Sequence, residues 1–110
     1  MTSDLAQKEC RPCEGVVTPL RGQALKEMER ELSGNWRVVE SKRLEKQFKF
    51  PDFRHALEFT KKVGELAEGE GHHPDIYLTY GEVRIELSTH KIGGLSENDF
   101  ILAAKINEVL

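Results

Sequence analysis

No apolar run in the 110 residues approaches the ~20 needed to cross a bilayer, so no membrane-spanning helix and no membrane partner are expected. A basic end followed by an apolar stretch is also missing. Met1 to Glu9 are polar, so no secretory signal is expected and the expected location is the cytoplasm. Clusters of basic residues are lacking too. The 16 lysines and arginines are spread along the chain among 19 acidic residues, for a net charge of −3. That leaves no phosphate-binding footprint, and nucleic acid is not expected as a partner. Repeats and low-complexity segments are likewise absent, which excludes solenoids and arrays.

Cysteine is scarce. Its two copies, Cys10 and Cys13, form a Cys-Arg-Pro-Cys run. A zinc site would need two further ligands, and no second pair or nearby histidine supplies them. A redox pair would sit between a strand and a helix, whereas this pair lies in a short polar leader. It is given no catalytic role. What is present, 38% hydrophobic and 32% charged residues, is the composition of a soluble globular chain long enough for one core.

Residues 1–17 read as an extended leader and 18–110 as a single domain. Thr18 is placed to cap a first helix with Pro19 at its first position, Leu25, Met28 and Leu32 share one face, and Gly34 stops it. Trp36 to Glu40 and Leu44 to Phe50 read as a hairpin. Pro51-Asp52 then opens a long helix to about Glu68, with an expected buried face of Phe53, Ala56, Leu57, Thr60, Val63 and Ala67. Gly64 in its middle calls for close packing to offset its helix cost. Ile76 to Tyr80 and Val83 to Thr89 flank Gly81-Glu82, read as a two-residue turn with glycine first. Gly93-Gly94 breaks the chain before a last helix starting at Ser96. The order helix, two strands, helix, two strands, helix predicts an α+β two-layer sandwich, with a four-stranded antiparallel sheet and three helices on one face.

Three of the four histidines, His72, His73 and His90, fall in one stretch of this plan. His72 and His73 precede the second hairpin and His90 follows it. Antiparallel strands bring those outer ends together, so the spacing alone predicts one cluster of imidazoles. Imidazole exchanges protons near neutral pH, with an unperturbed pKa of ~6.5. Glu68 and Asp99 lie where carboxylates could join them, and Tyr80 lies at the turn. Bland readings stand beside these. Paired histidines in a glycine-rich loop are often solvated, Asp99 is spaced from Ser96 as a capping box, and Tyr80 could simply flank a turn. His55, in the long helix, reads as a surface residue. Metal binding is the sharper competitor, but adjacent histidines on one loop tend to point apart.

The pattern Glu68, His72-His73-Pro74, Tyr80, His90, Asp99 resembles the signature of the pterin-4a-carbinolamine dehydratases. The likeness extends through Ser88-Thr89-His90, Gly93 to Asp99, Trp36 and the Lys46 to Phe53 step, and covers nearly the whole chain. The resemblance implies dehydration of 4a-hydroxytetrahydrobiopterin to quinonoid dihydropterin, with no metal or redox cofactor. By the same resemblance His72 and His90 are the acid–base pair and His73 mainly holds the pterin. Glu68 and Asp99 orient the rings, balance their charge or bind the polar edge of the pterin, and Tyr80 supports the site. Some relatives carry an aromatic residue at the position of Ile76, whereas here Tyr77 follows instead. The relatives are dimers or tetramers, so a homo-oligomer is expected, with the Val83–Thr89 strand as a pairing edge. A protein-binding dimerisation cofactor on the same fold and a His/Glu metal site are the alternative readings.

Overall fold

The computed structural model describes residues 5–8 and 19–110, so Cys10, Cys13 and Thr18 lie outside the described residues. Helix α1 spans Gly22–Glu31, strand β1 Arg37–Val39, β2 Arg43–Lys49, α2 Phe53–Glu70, β3 Asp75–Thr79, β4 Glu82–Leu87 and α3 Glu97–Val109. The strands form one antiparallel sheet in the order β1-β2-β4-β3. Helices α2 and α3 pack on it and α1 packs on α3, giving the expected α+β two-layer architecture.

Alternation decides which side of the sheet is dry. Leu44 and Phe48 on β2 stand opposite Leu87 and Val83 on β4, and all four are buried. Helix α3 is apolar nearly all round, as Phe100, Ile101, Leu102, Ala103, Ala104 and Ile106 attest, and it runs through the middle of the core.

The structure corrects the sequence reading at several points. Strand β4 lies between β2 and β3, so Val83–Thr89 is not an edge, and among the described residues the sheet's outer strands are β1 and β3. Helix α1 starts at Gly22 rather than Pro19. The Leu20 N–H donates to the Leu95 carbonyl at 2.8 Å, and Pro19 packs so close to Gly94 that a Cβ there would meet it at 2.8 Å. Those contacts tie Pro19 and Leu20 to the chain ahead of α3.

On α2 the buried stripe is Ala56, Phe59, Val63 and Ala67, while Phe53 and Leu57 are 44% and 37% exposed. Phe59 wins the inward position because its ring packs on Phe48 and Phe50, at centroid distances of 4.7 and 5.2 Å. Thr60 is half-buried, its hydroxyl donating to the Ala56 carbonyl at 2.8 Å. A Cβ at Gly64 would meet nothing within 4 Å, so close packing inside the fold does not explain that glycine. The β3–β4 loop is Tyr80-Gly81, one residue earlier than expected, since Thr79 pairs with Glu82. Gly81 is required there by Phe50: the Phe50 N–H donates to the Gly81 carbonyl at 2.9 Å, and a Cβ would sit 3.0 Å from the Phe50 carbonyl oxygen.

Within the leader, Leu5–Gln7 forms a turn of 3-10 helix instead of an extended segment. Leu5 and Ala6 are buried against α3, and Lys105 Nζ donates to the Ala6 carbonyl at 2.9 Å. Among the described residues no helix is long and apolar enough to cross a membrane.

Candidate active site

Helix α2 ends where its chain turns left-handed at Gly71, with φ of 66°. The Gly71 N–H donates to the Glu68 carbonyl and the His72 N–H to the Ala67 carbonyl, each at 3.3 Å. This paired arrangement is the Schellman stop, and it fixes His72 as the first residue clear of the helix. Strand β3 runs away from this point and β4 returns to it. Beyond β4, Thr89 and Gly94 pair across a tight loop, with Thr89 N–H donating to Gly94 at 2.8 Å, and His90–Ile92 make a 3-10 turn within it. The two ends therefore meet. His72, His73 and His90 line one cleft of about 250 Å³ together with Ser88, Thr89, Lys91 and Asn98.

Behind the cleft lies Asp99, fully buried in the first turn of α3. Its Oδ2 accepts the Ser96 N–H at 2.9 Å and the Thr89 hydroxyl at 2.8 Å, and its Oδ1 lies 2.6 Å from His72 Nε2. A carboxylate in its ionised form only accepts, so that form is met by a proton on His72 Nε2 and leaves Nδ1 as the ring nitrogen not engaged by Asp99. The capping reading of Asp99 and the site reading both hold, one on each oxygen. The neighbours differ in setting. His73 Nε2 lies 3.5 Å from Glu68 Oε2 and both side chains are mostly exposed, while His90 is exposed at the cleft.

Other expected members stand apart. Tyr80 is 71% exposed in the β3–β4 turn, at the opposite end of the hairpin from the histidines. Seven residues of near-extended chain from His73 put it roughly 20 Å away, and it does not line the cleft. Tyr77 points from β3 to the outer face, its ring beneath the Arg84 guanidinium at 4.2 Å, and it does not line the cleft. His55 is at the surface as expected, but has a partner: its Nδ1 lies 2.7 Å from Asp52 Oδ1. Among the described residues no three His, Cys, Asp or Glu side chains are grouped to hold a metal ion.

Sequence reasoning gave no role to Ser88, Thr89, Lys91 and Asn98. For Thr89 a signal existed: it continues the inward phase of Val83, Ile85 and Leu87, and a polar residue at a core position needs a polar partner.

Comparison with known proteins finds relatives over nearly the whole chain. Residues 18–109 match the family model described as pterin 4 alpha carbinolamine dehydratase. The chain is 50% identical over 107 residues to a protein of Rubrobacter xylanophilus provisionally named a pterin-4-alpha-carbinolamine dehydratase, covering 97% of this chain and 99% of that one. A protein of Alkaliphilus metalliredigens with the same provisional name is 46% identical, with 96% of each chain covered. Among solved structures, a transcriptional coactivator/pterin dehydratase from Brucella melitensis superposes with a TM-score of 0.76 at 32% identity, over 84% of this chain and 98% of that one. A pterin dehydratase-like protein, described as a RuBisCO assembly factor of the alpha-carboxysome, shares the fold with a TM-score of 0.59 at 24% identity, over 69% of this chain and 89% of that one.

Proposed function

The chain belongs to the pterin 4 alpha carbinolamine dehydratase family, and we propose that it removes water from 4a-hydroxytetrahydrobiopterin to give quinonoid dihydropterin. That reaction regenerates the pterin used by aromatic amino acid hydroxylases. The observation that carries this reading is His72, held by a buried carboxylate on the wall of a cleft that two further imidazoles line.

The chemistry asks for two proton transfers and no change of oxidation state. Hydroxide leaves the carbinolamine carbon as the adjacent nitrogen lone pair forms a C=N bond. An acid protonates the departing oxygen, which leaves as water, and a base removes the proton left on the conjugated ring nitrogens. Imidazoles suit both steps near neutral pH. His72, presenting Nδ1, and His90 form the acid–base pair. His73, steadied by Glu68, mainly holds the pterin. Glu68 also offers a carboxylate to the donor-rich polar edge of the ring. Asp99 keeps the His72 ring in one tautomer and orientation, and offsets its charge when protonated.

Self-association belongs to the same reading. Among the described residues β1 and β3 are the outer strands, whose outward backbone groups can pair with a second copy, and a dimer or tetramer is expected.

The deciding experiment follows dehydration of 4a-hydroxytetrahydropterin, generated in situ, with and without chelator. Acceleration over the spontaneous rate that survives chelation is the expected result. Acceleration lost with chelator would move the site to metal chemistry. No acceleration by a folded protein would overturn the enzyme reading in favour of a protein-binding role.

A further inference from the structure

We infer that Thr89 is a positioning residue for the proposed dehydration: its hydroxyl pins Asp99 so that Asp99 can hold His72. The inference rests on the reading of His72 given above and deepens it.

Thr89, Ser96 and Asp99 are the buried polar residues among those described, and they form one connected set. Thr89 Oγ1 lies 2.8 Å from Asp99 Oδ2 and 2.8 Å from Ser96 Oγ. Because the carboxylate can only accept, the Thr89 hydroxyl donates to it, and the Ser96 hydroxyl therefore donates to Thr89. The proton order runs one way, from Ser96 through Thr89 to Asp99 Oδ2, on the carboxylate whose other oxygen meets His72.

Helix capping does not explain this hydroxyl. The cap is complete between Ser96 and Asp99 alone: the Asp99 backbone N–H donates to the Ser96 side chain, and the Ser96 N–H donates to Asp99 Oδ2 at 2.9 Å. Thr89 sits in phase with Val83, Ile85 and Leu87, where valine would have the same shape, suit the extended chain and leave no hydroxyl to satisfy. A buried hydroxyl at such a place is costly unless used. Its use is on Asp99. The terminal torsion of aspartate is broad and two-fold, so a carboxylate held by one donor can swing. Two donors on Oδ2, one from the backbone of the α3 cap and one from the end of β4, fix the carboxylate plane and aim Oδ1 at His72 Nε2. Asp99 is fully buried, so water cannot take over the vacated bond when a donor is lost.

The test uses Thr89→Val, which deletes the hydroxyl at constant shape, and Thr89→Ser, which restores it. Thr89→Val is expected to lower kcat by ~10–100-fold, the usual effect of an outer partner, with KM changed by no more than about twofold. Thr89→Ser recovers most of the loss. Without substrate, the nitrogen resonance of His72 Nε2 is expected to move in Thr89→Val and to stay near its wild-type position in Thr89→Ser. Should Thr89→Val fail to fold, Thr89→Cys, which keeps the bulk but only a weak donor, is read in its place. An Nε2 resonance indifferent to loss of the hydroxyl overturns the inference, as does a Thr89→Ser variant as slow as Thr89→Val. A wild-type protein without turnover would fail the dehydratase reading itself, and the resonance would still decide the role of Thr89.

Discussion

His72 Nε2 and Asp99 Oδ1 lie 2.6 Å apart although 27 residues of chain separate them. The end of α2 supplies one partner and the first turn of α3 the other, with the whole β3–β4 hairpin folded between. The carboxylate serves two tasks at once. One oxygen completes the α3 cap and the other holds the imidazole, so local helix stability and site geometry share a single side chain.

Replacing His72 or His90 by alanine should each lower turnover by ~10²–10⁴, the usual contribution of a positioned acid or base. His73→Ala should act mainly on KM, because its ring is assigned to binding. The rates are measured after subtraction of spontaneous dehydration. Near-normal turnover in both His72→Ala and His90→Ala would end the acid–base assignment.

Tyr80→Ala is expected to leave kcat and KM unchanged. The side chain is 71% exposed at the far end of the hairpin from the cleft. A clear loss of activity in a folded variant would place Tyr80 back in the site through some contact of the working assembly.

Leu5→Ala should destabilise the protein by about 2–5 kcal/mol, the range for emptying a well-packed leucine position. Leu5 is fully buried against α3, although it lies in a polar leader. Urea denaturation checks this, and a change within experimental scatter would show that the turn at Leu5–Gln7 does not seal the core in solution.

Asp52 predicts an acid-sensitive helix cap. The His55 backbone N–H donates to its Oδ1 at 2.9 Å, and that bond, seconded by the His55 ring, holds the Asp52 carboxyl below the usual carboxylate range. A folded-state pKa below the unfolded one stabilises the fold above the unfolded value, and that contribution disappears as pH falls through the folded value. Asp52→Asn keeps a capping oxygen and removes the charge. Its melting temperature should therefore lie below wild type at neutral pH, with the gap closing as pH drops under ~3.9. Thermal melts across that window test it, and an unchanging gap would remove the charge from the account.

Sedimentation at micromolar concentration should show a dimer or tetramer. Strand β3 is an outer strand of the sheet among the described residues, and its outer-face Tyr77 is 46% exposed. A single species near 12.5 kDa would rule self-association out.

Sequence alone determined the element order, the two hairpins and the meeting of His72, His73 and His90. All three follow from local rules: alternation marks a strand, glycine and proline mark its ends, and antiparallel pairing returns the chain to where it began. Tertiary structure decided the rest. Whether Phe53 and Leu57 or Phe59 faces inward on α2 differs by a small rotation of one amphipathic stripe, and only the rings of Phe48 and Phe50 choose. That β4 is interior and β3 is an edge depends on β2 pairing with β4 across 33 or more residues, a contact no local spacing encodes. Leu5 is buried because α3 offers it an apolar wall from the far end of the chain. The second oxygen of Asp99 reaches His72 for the same reason. Periodicity tells which residues share a face, but what covers that face is settled by elements distant in sequence, through packing that forms only when the whole chain has folded.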